Sequence, residues 1–231
     1  MVNAMETLRG RRALVTGGNR GIGLEVVRLL GELGLEVYLG SRDLDAGTSA
    51  VAGLGLPGIK PLCIDVADLA SVTAARDALA PEGVDVLVNN AAINPRGQVT
   101  PKEADRAWQV NTLGAWRVTQ AFLPPMRERG WGRIVNVSSE VATSAHEQRG
   151  GGIYAATKIV LNAMTRAFAE DLAGTGILVN AISPGWCRSD MGGASAPRSG
   201  ERGAASIVWG VTLSDDGPTG GYFQDGEPLP W

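Results

Sequence analysis

Ala13-Leu14-Val15-Thr16-Gly17-Gly18-Asn19-Arg20-Gly21-Ile22-Gly23-Leu24 is the stretch on which the fold turns. Ala13 to Val15 reads as the end of a buried strand. Directly after the glycines, Ile22, Val26, Leu29, Leu30 and Leu33 follow a helical period. A glycine-rich turn between a parallel strand and a helix aims unpaired N–H groups and the positive end of the helix dipole at one point. That point favours an anion, typically a dinucleotide pyrophosphate. Glycine also serves any turn that needs positive φ, so the spacing alone leaves both readings open.

Working outward, apolar runs and helical periods alternate. Strands are expected at Leu35–Gly40, Ile59–Ile64, Val84–Val88, Arg133–Val137, Ile177–Ile182 and Gly220–Gln224. Asp68 reads as the N-cap of a helix to about Leu79, and Pro101 as a first-turn proline. The period through Trp108, Thr112, Ala115, Trp116, Thr119 and Phe122 predicts one or two helices, with a kink or break at Pro124-Pro125. A long helix is expected from about Ile153 to Leu172 and a short one over Arg202 to Leu213. The fold class is therefore α/β: one Rossmann-type doubly wound sheet of about seven parallel strands, helices on both faces, and residues 1–231 forming one dinucleotide-binding and catalytic domain. Ligands bind such sheets beyond the carboxyl ends of the strands, and the polar clusters of this chain sit at those ends.

Composition narrows the function classes. The chain has 231 residues, 44% apolar and 19% charged, as in soluble globular proteins. Its net charge of −3, with dispersed basic residues, argues against nucleic acid as a partner. One histidine, His146, and two distant cysteines, Cys63 and Cys187, leave little for a metal centre or a serine–histidine hydrolase, so no metal is expected. Both thiols are expected free, in a reducing cytoplasm. No signal peptide and no apolar run of about 20 residues is seen, so no membrane partner is expected.

Tyr154 and Lys158 stand four residues apart at the start of the long helix, on one face. Ser139 closes the neighbouring strand. A phenol works as an acid–base at neutral pH when a cation stabilises its anion, and Lys158 can supply that charge. Ser139 could hydrogen-bond a substrate carbonyl while Tyr154 moves the proton. Such pairs are common on helix surfaces, and the spacing alone favours a surface pair on an exposed turn.

In its ordered set of motifs the sequence resembles the classical short-chain dehydrogenase/reductase family. The matching residues are Thr16-Gly17-x-x-x-Gly21-x-Gly23, Asp65, Asn89-Asn90-Ala91-Ala92, Asn111, Ser139, Tyr154-x-x-x-Lys158 and Pro184-Gly185, over essentially the whole chain. The resemblance implies a catalytic tetrad of Asn111, Ser139, Tyr154 and Lys158. Tyr154 would be the acid–base and Ser139 would orient the carbonyl. Lys158 would hold the nicotinamide ribose and depress the phenol, and Asn111 would anchor a water. It also implies an adenine pocket at Asp65 and Val66 with Asn89 and Ala91 beside it. Pro184, Gly185 and Ser189 would hold the nicotinamide carboxamide; Ser189 stands where the family commonly has Thr.

Charge decides the coenzyme expected. An acidic residue at the end of the second strand would bind a ribose diol and repel a 2′-phosphate. Here Ser41 stands there, followed by Arg42, with Asn19, Arg20 and Ile22 in the glycine turn. Two guanidinium groups at one corner suit a phosphate, so NADP(H) is expected over NAD(H). The alternative is a solvated Arg42 paired with Asp43 or Asp45.

Trp186 is placed to line the substrate cleft; His146 is read as an exposed loop residue. The short segment after Gly185 leaves little material for a lid, and an open cleft is expected. The runs Pro184–Met191 and Thr219–Gly226 are similar to the carbonyl-reductase branch. The function expected is reversible NADPH-dependent reduction of ketones and aldehydes. A 3-oxoacyl thioester reductase and a non-catalytic NADP-binding sensor are the alternatives. The apolar face Leu161, Met164, Phe168 and Leu172 could pack on the sheet or on a second subunit, as in a homodimer or homotetramer.

Overall fold

Alternation along each central strand divides its side chains between two cores. On β4 (Val86–Asn89), Val86 and Val88 enter one apolar cluster and Leu87 the other. β1 (Arg12–Thr16) does the same with Ala13 and Val15 on one side and Leu14 on the other. A strand apolar on both faces must be covered on both, and helices do the covering. The computed structural model describes residues 8–143 and 152–231.

The remaining elements are α1 (Gly21–Glu32), β2 (Glu36–Ser41), α2 (Leu44–Leu54), β3 (Ile59–Cys63), α3 (Leu69–Ala78), α4 (Pro101–Asn111), α5 (Leu113–Arg129), β5 (Gly132–Val137), α6 (Gly152–Asp171), β6 (Ile177–Ile182), α7 (Gly200–Val211), β7 (Tyr222–Gln224) and β8 (Glu227–Pro228). The sheet order is β3-β2-β1-β4-β5-β6-β7-β8. Seven strands are parallel. β8 turns back antiparallel on β7, an addition to the expected seven. The chain winds outward from β1 to β3, then crosses back to β4 on the other side of β1. The carboxyl ends of β1 and β4 therefore flank the reversal point, where open α/β sheets take ligands.

The break in the helical segment after Pro101 falls at Thr112, not at Pro124-Pro125. α5 runs through both prolines because Phe122, Leu123 and Met126 bury one face on either side of them. It stops at Gly130, whose φ of 63° closes the helix in the left-handed region. At the earlier break, Thr112 donates to the Thr157 carbonyl at 3.0 Å. The capping box of Thr100 and Glu103 starts α4 so that its last residue, Asn111, reaches the carboxyl edge of the sheet. Among the described residues no helix is long and apolar enough to cross a membrane.

Candidate active site

The glycine turn is clamped to the end of β4. Asn90 Nδ2 donates to the Thr16 carbonyl at 2.9 Å and the Gly17 carbonyl at 3.0 Å, while Thr16 Oγ1 accepts from the amides of Asn90 and Ala91. Gly17 has φ of 64°, and a Cβ on Gly23 would lie 2.4 Å from both Asn90 Nδ2 and the Gly17 carbonyl oxygen. α1 starts at Gly21 with no side-chain cap, because Arg20 occupies the cap position. Its first N–H groups have no intrahelical partner. Asn90 and Thr16 thus build the turn, a role that the sequence reading did not give them. Strand alternation, which sends Asn89 and Asn90 to opposite faces, is the signal that separates the two.

Asn89 points away, donating to Thr119 Oγ1 at 3.0 Å and Asn136 Oδ1 at 2.8 Å. Asp65 accepts from the Ala67 amide at 2.9 Å, and buried Val66 lies against Gly114. These two residues, half-buried Asn19 and Ala91 follow the carboxyl edge of β1, β3 and β4. At the end of β2, Arg42 is exposed and its guanidinium makes no ion pair among the described residues. Asp43 instead caps α2 through the Ala46 amide. Arg20 does not stand free beside it. Its guanidinium pairs with Asp190 at 3.0 Å.

Asn111 is 1% exposed and its amide is fully engaged. Oδ1 accepts from the Ile93 amide at 2.8 Å; Nδ2 donates to the Ile93 carbonyl at 2.9 Å and to Thr157 Oγ1 at 3.0 Å. These contacts make the Asn111 side chain a clamp between the loop after β4 and α6. Ser138 is buried and donates to Asn162 Oδ1 at 2.6 Å, whereas Ser139 lines the cleft with Tyr154 and draws its phenol downward. Lys158, 2% exposed, donates to the Val137 carbonyl at 2.7 Å and lies 5.8 Å from the centre of the Tyr154 ring.

Burial dominates both ionisations. It pushes the Tyr154 phenol up to about 12, with the Ser139 hydrogen bond pulling the other way, and it lowers Lys158 to about 7. In the chain without coenzyme, burial sets this balance, and the lysine nitrogen is engaged by the Val137 carbonyl.

A cavity of about 560 Å³ opens beside these hydroxyls, with Ser139, Tyr154, Trp186, Ile22, Arg96 and Glu140 among its lining residues. Pro184, Gly185 and Ser189 lie on its wall, Gly185 with φ of 71° against Arg198. Ser189 accepts from the Gly192 amide at 3.0 Å and approaches Gly21. Trp186, 43% exposed, donates through Nε1 to the Gly192 carbonyl at 2.9 Å. The segment after Gly185 is short, yet it crosses the cleft. Asp190 meets Arg20 on one side, and Arg96 donates to the Met191 carbonyl on the other. The open cleft is corrected to a spanned one, because backbone bonds between residues 186–188 and Arg198 fold the segment into a loop that reaches both rims. Sequence reading also missed Tyr222 and Glu140, since nothing local marks either. His146 lies outside the described residues, and among those residues no group of three or more His, Cys, Asp or Glu is placed to hold a metal.

A family model described as short chain dehydrogenase matches residues 11–199. The chain belongs to the short-chain dehydrogenase family. Carbonyl reductase [NADPH] 1 of Sus scrofa is 34% identical over 278 aligned positions, covering 96% of this chain and 94% of its own. The alignment is longer than this 231-residue chain, so that relative carries segments absent here. D-erythrulose reductase of Gallus gallus is 38% identical over 80% of this chain and 75% of its own. Among solved structures, an NADPH-bound carbonyl reductase from chicken fatty liver superposes with a TM-score of 0.88 at 26% identity, covering 97% of this chain and 95% of that one. In this short-chain dehydrogenase the cradle of Gly17 and Gly23, the uncapped start of α1 and the unpaired Arg42 fit a phosphorylated dinucleotide.

The buried lysine makes stability depend on pH. Its folded value of about 7 lies below the ordinary 10.5, so between these values the unfolded chain binds a proton that the folded chain does not. Stability then rises with pH across that window. The raised Tyr154 acts oppositely only above its ordinary 10.0. Urea unfolding without added coenzyme is expected to show this rise from pH 7 to 10, and Lys158→Met to remove it. An unaltered slope in the variant would refute the assignment.

Proposed function

We propose that this short-chain dehydrogenase is an NADPH-dependent carbonyl reductase, a single domain of residues 1–231 that reduces ketones and aldehydes to alcohols and runs in reverse as an alcohol dehydrogenase. The observation that carries the reading is Ser139 and Tyr154 together on the wall of one cavity, with Lys158 buried behind the phenol. The similarity to carbonyl reductases over nearly the whole chain supports it.

Bound NADPH supplies the hydride. Ser139 donates to the carbonyl oxygen and fixes its position, and Tyr154 gives that oxygen its proton. A phenol raised to about 12 keeps its proton at neutral pH, which suits reduction; the reverse reaction needs the phenolate and is favoured by alkali. Lys158 holds α6 to β5 through the Val137 carbonyl, and Asn111 fixes α6 from the other side. Gly17, Asn19, Gly21, Ile22 and Gly23 receive the pyrophosphate at the start of α1. Arg42, with Ser41 in place of an acid, receives the 2′-phosphate, and Arg20 joins it by exchanging Asp190 for phosphate. Asp65, Val66 and Ala91 border the adenine, while Pro184, Gly185 and Ser189 border the nicotinamide; Asn89, expected beside the adenine, turns its side chain to Thr119 and Asn136 instead. Trp186 lines the substrate side. Two free thiols, Cys63 exposed and Cys187 buried, accord with a cytoplasmic location.

A panel of ketones, aldehydes and acyl thioesters followed by NADPH absorbance tests the reading. Tyr154→Phe is expected to lose at least about 100-fold in kcat, the lower end for a positioned acid–base, while NADPH still binds. Unchanged turnover would defeat the role. For Arg42→Asp the ratio of kcat/KM for NADPH over NADH is expected to fall by at least about tenfold, as a charge-assisted phosphate contact becomes a repulsion; an unaltered ratio counts against the phosphate site.

Assembly as a homodimer or homotetramer is supported by the large apolar side chains left exposed on α5 and α6: Leu113, Trp116, Ile159 and Val160. Sedimentation velocity is expected to give a dimer or tetramer, and Trp116→Glu a smaller species. A monomeric wild type would end this part of the proposal.

A further inference from the structure

Tyr222 lies on the last parallel strand, far from Ser139 in sequence, yet its hydroxyl donates to the Ser139 carbonyl at 2.6 Å. The residue is 1% exposed. The same carbonyl accepts from the Ala142 amide at 2.8 Å, the bond that closes the turn over residues 140–142. Both lone pairs of one carbonyl are therefore held, one by the local turn and one by a side chain from another element. Together they fix the peptide plane that follows Ser139 and the direction in which the chain leaves β5. Ser139 itself is extended, with φ −160° and ψ 147°, and its hydroxyl makes no capping bond to that turn. Its side chain is free to meet Tyr154 because its backbone is held from behind. The Tyr222 ring is covered by Trp231, with centroids 5.8 Å apart, so the end of the chain closes over this contact.

We propose that Tyr222 is a positioning residue, one whose phenol holds the Ser139 carbonyl so that the Ser139 hydroxyl stays aligned with Tyr154. The inference rests on the proposed function of Ser139 and Tyr154. Burial first, and then the nearby Glu140 and Tyr154, raise the Tyr222 phenol, so it remains a donor throughout the range in which the reaction is run. Losing this donor leaves the turn bond and the ring packing in place. It frees the peptide after Ser139 to rotate, which weakens the hydrogen bond that lowers Tyr154.

The test is Tyr222→Phe, alone and combined with Ser139→Ala, in the full chain with NADPH and a ketone turned over by the wild type. For the single variant, kcat is expected to fall about tenfold, the order for a misoriented rather than deleted group, with KM and NADPH affinity within about twofold. The pH limb that reports Tyr154 is expected to move to higher pH. In the Ser139→Ala background Tyr222→Phe should cost nothing further. An equal loss in both backgrounds, or an unchanged kcat and pH limb beside a lowered melting temperature, overturns the inference and leaves the proposed function standing. If Ser139→Ala keeps wild-type kcat, both fall together.

Discussion

Lys158 is out of water with its ammonium on a main-chain carbonyl, and the arrangement around the cavity follows from that contact. A lone buried cation is costly unless a polar partner is held firmly against it. The partner is the Val137 carbonyl at the end of β5, which fixes the register of α6 along the strand. Four residues of helix advance about 6 Å and two of strand about 6.6 Å. With Lys158 seated on Val137, Tyr154, one turn earlier, comes level with Ser139, two residues later. The burial that accompanies this contact shifts both groups, lowering the lysine and raising the phenol.

Behind that contact lies a buried polar ladder. Asn89 donates to Thr119 and Asn136, Asn136 donates to Thr165 at 2.9 Å, and Ser138 donates to Asn162. These bonds tie β4 and β5 to α5 and α6 through geometry that apolar contacts do not specify. Asn111 and Thr112 make the same link from the α4–α5 break. α6 is thus fixed along its buried face by directed bonds, and its rotation about its own axis has little freedom.

The strands, the alternation of element types and the glycine turn were legible because each is a local pattern: apolar runs, helical periods and capping residues such as Asp68. Ser139, Tyr154 and Lys158 were singled out by the ordered motifs of the resemblance, because the spacing of Tyr154 and Lys158 on one helix also fits a surface pair. The running of α5 through Pro124-Pro125 was not, since the burial of Phe122 and Met126 that overrides the prolines depends on tertiary partners. Asn90 was half legible, quoted within a motif while its clamp on the glycine turn depends on β1 and β4 being neighbours. Tyr222 and residues 186–191 fell within quoted runs, but the contact of the one and the crossing made by the segment were not legible. Their partners lie 83 residues away for Tyr222 and 170 for the Arg20–Asp190 pair, and no period in the chain encodes such distances.

That crossing loop is held unevenly, and the unevenness has physical content. At its base, Arg198 forms a bidentate pair with Asp225, at 2.8 and 2.6 Å, with the arginine side chain only 13% exposed. At its tip, Arg20 and Asp190 are exposed at 71% and 77%. An exposed pair of that kind contributes about 0–1 kcal/mol, while a planar, partly desolvated fork holds more strongly. The contact over the glycine turn is therefore among the cheaper ones to exchange, and the charge best suited to displace a carboxylate from Arg20 is another anion. The base stays seated because its guanidinium also fills the space that a side chain at Gly185 would need: a Cβ there would lie 2.5 Å from Arg198 Cδ. A fixed base and a releasable tip at the mouth of one cleft arise from burial alone, with the same pair of residue types at both ends.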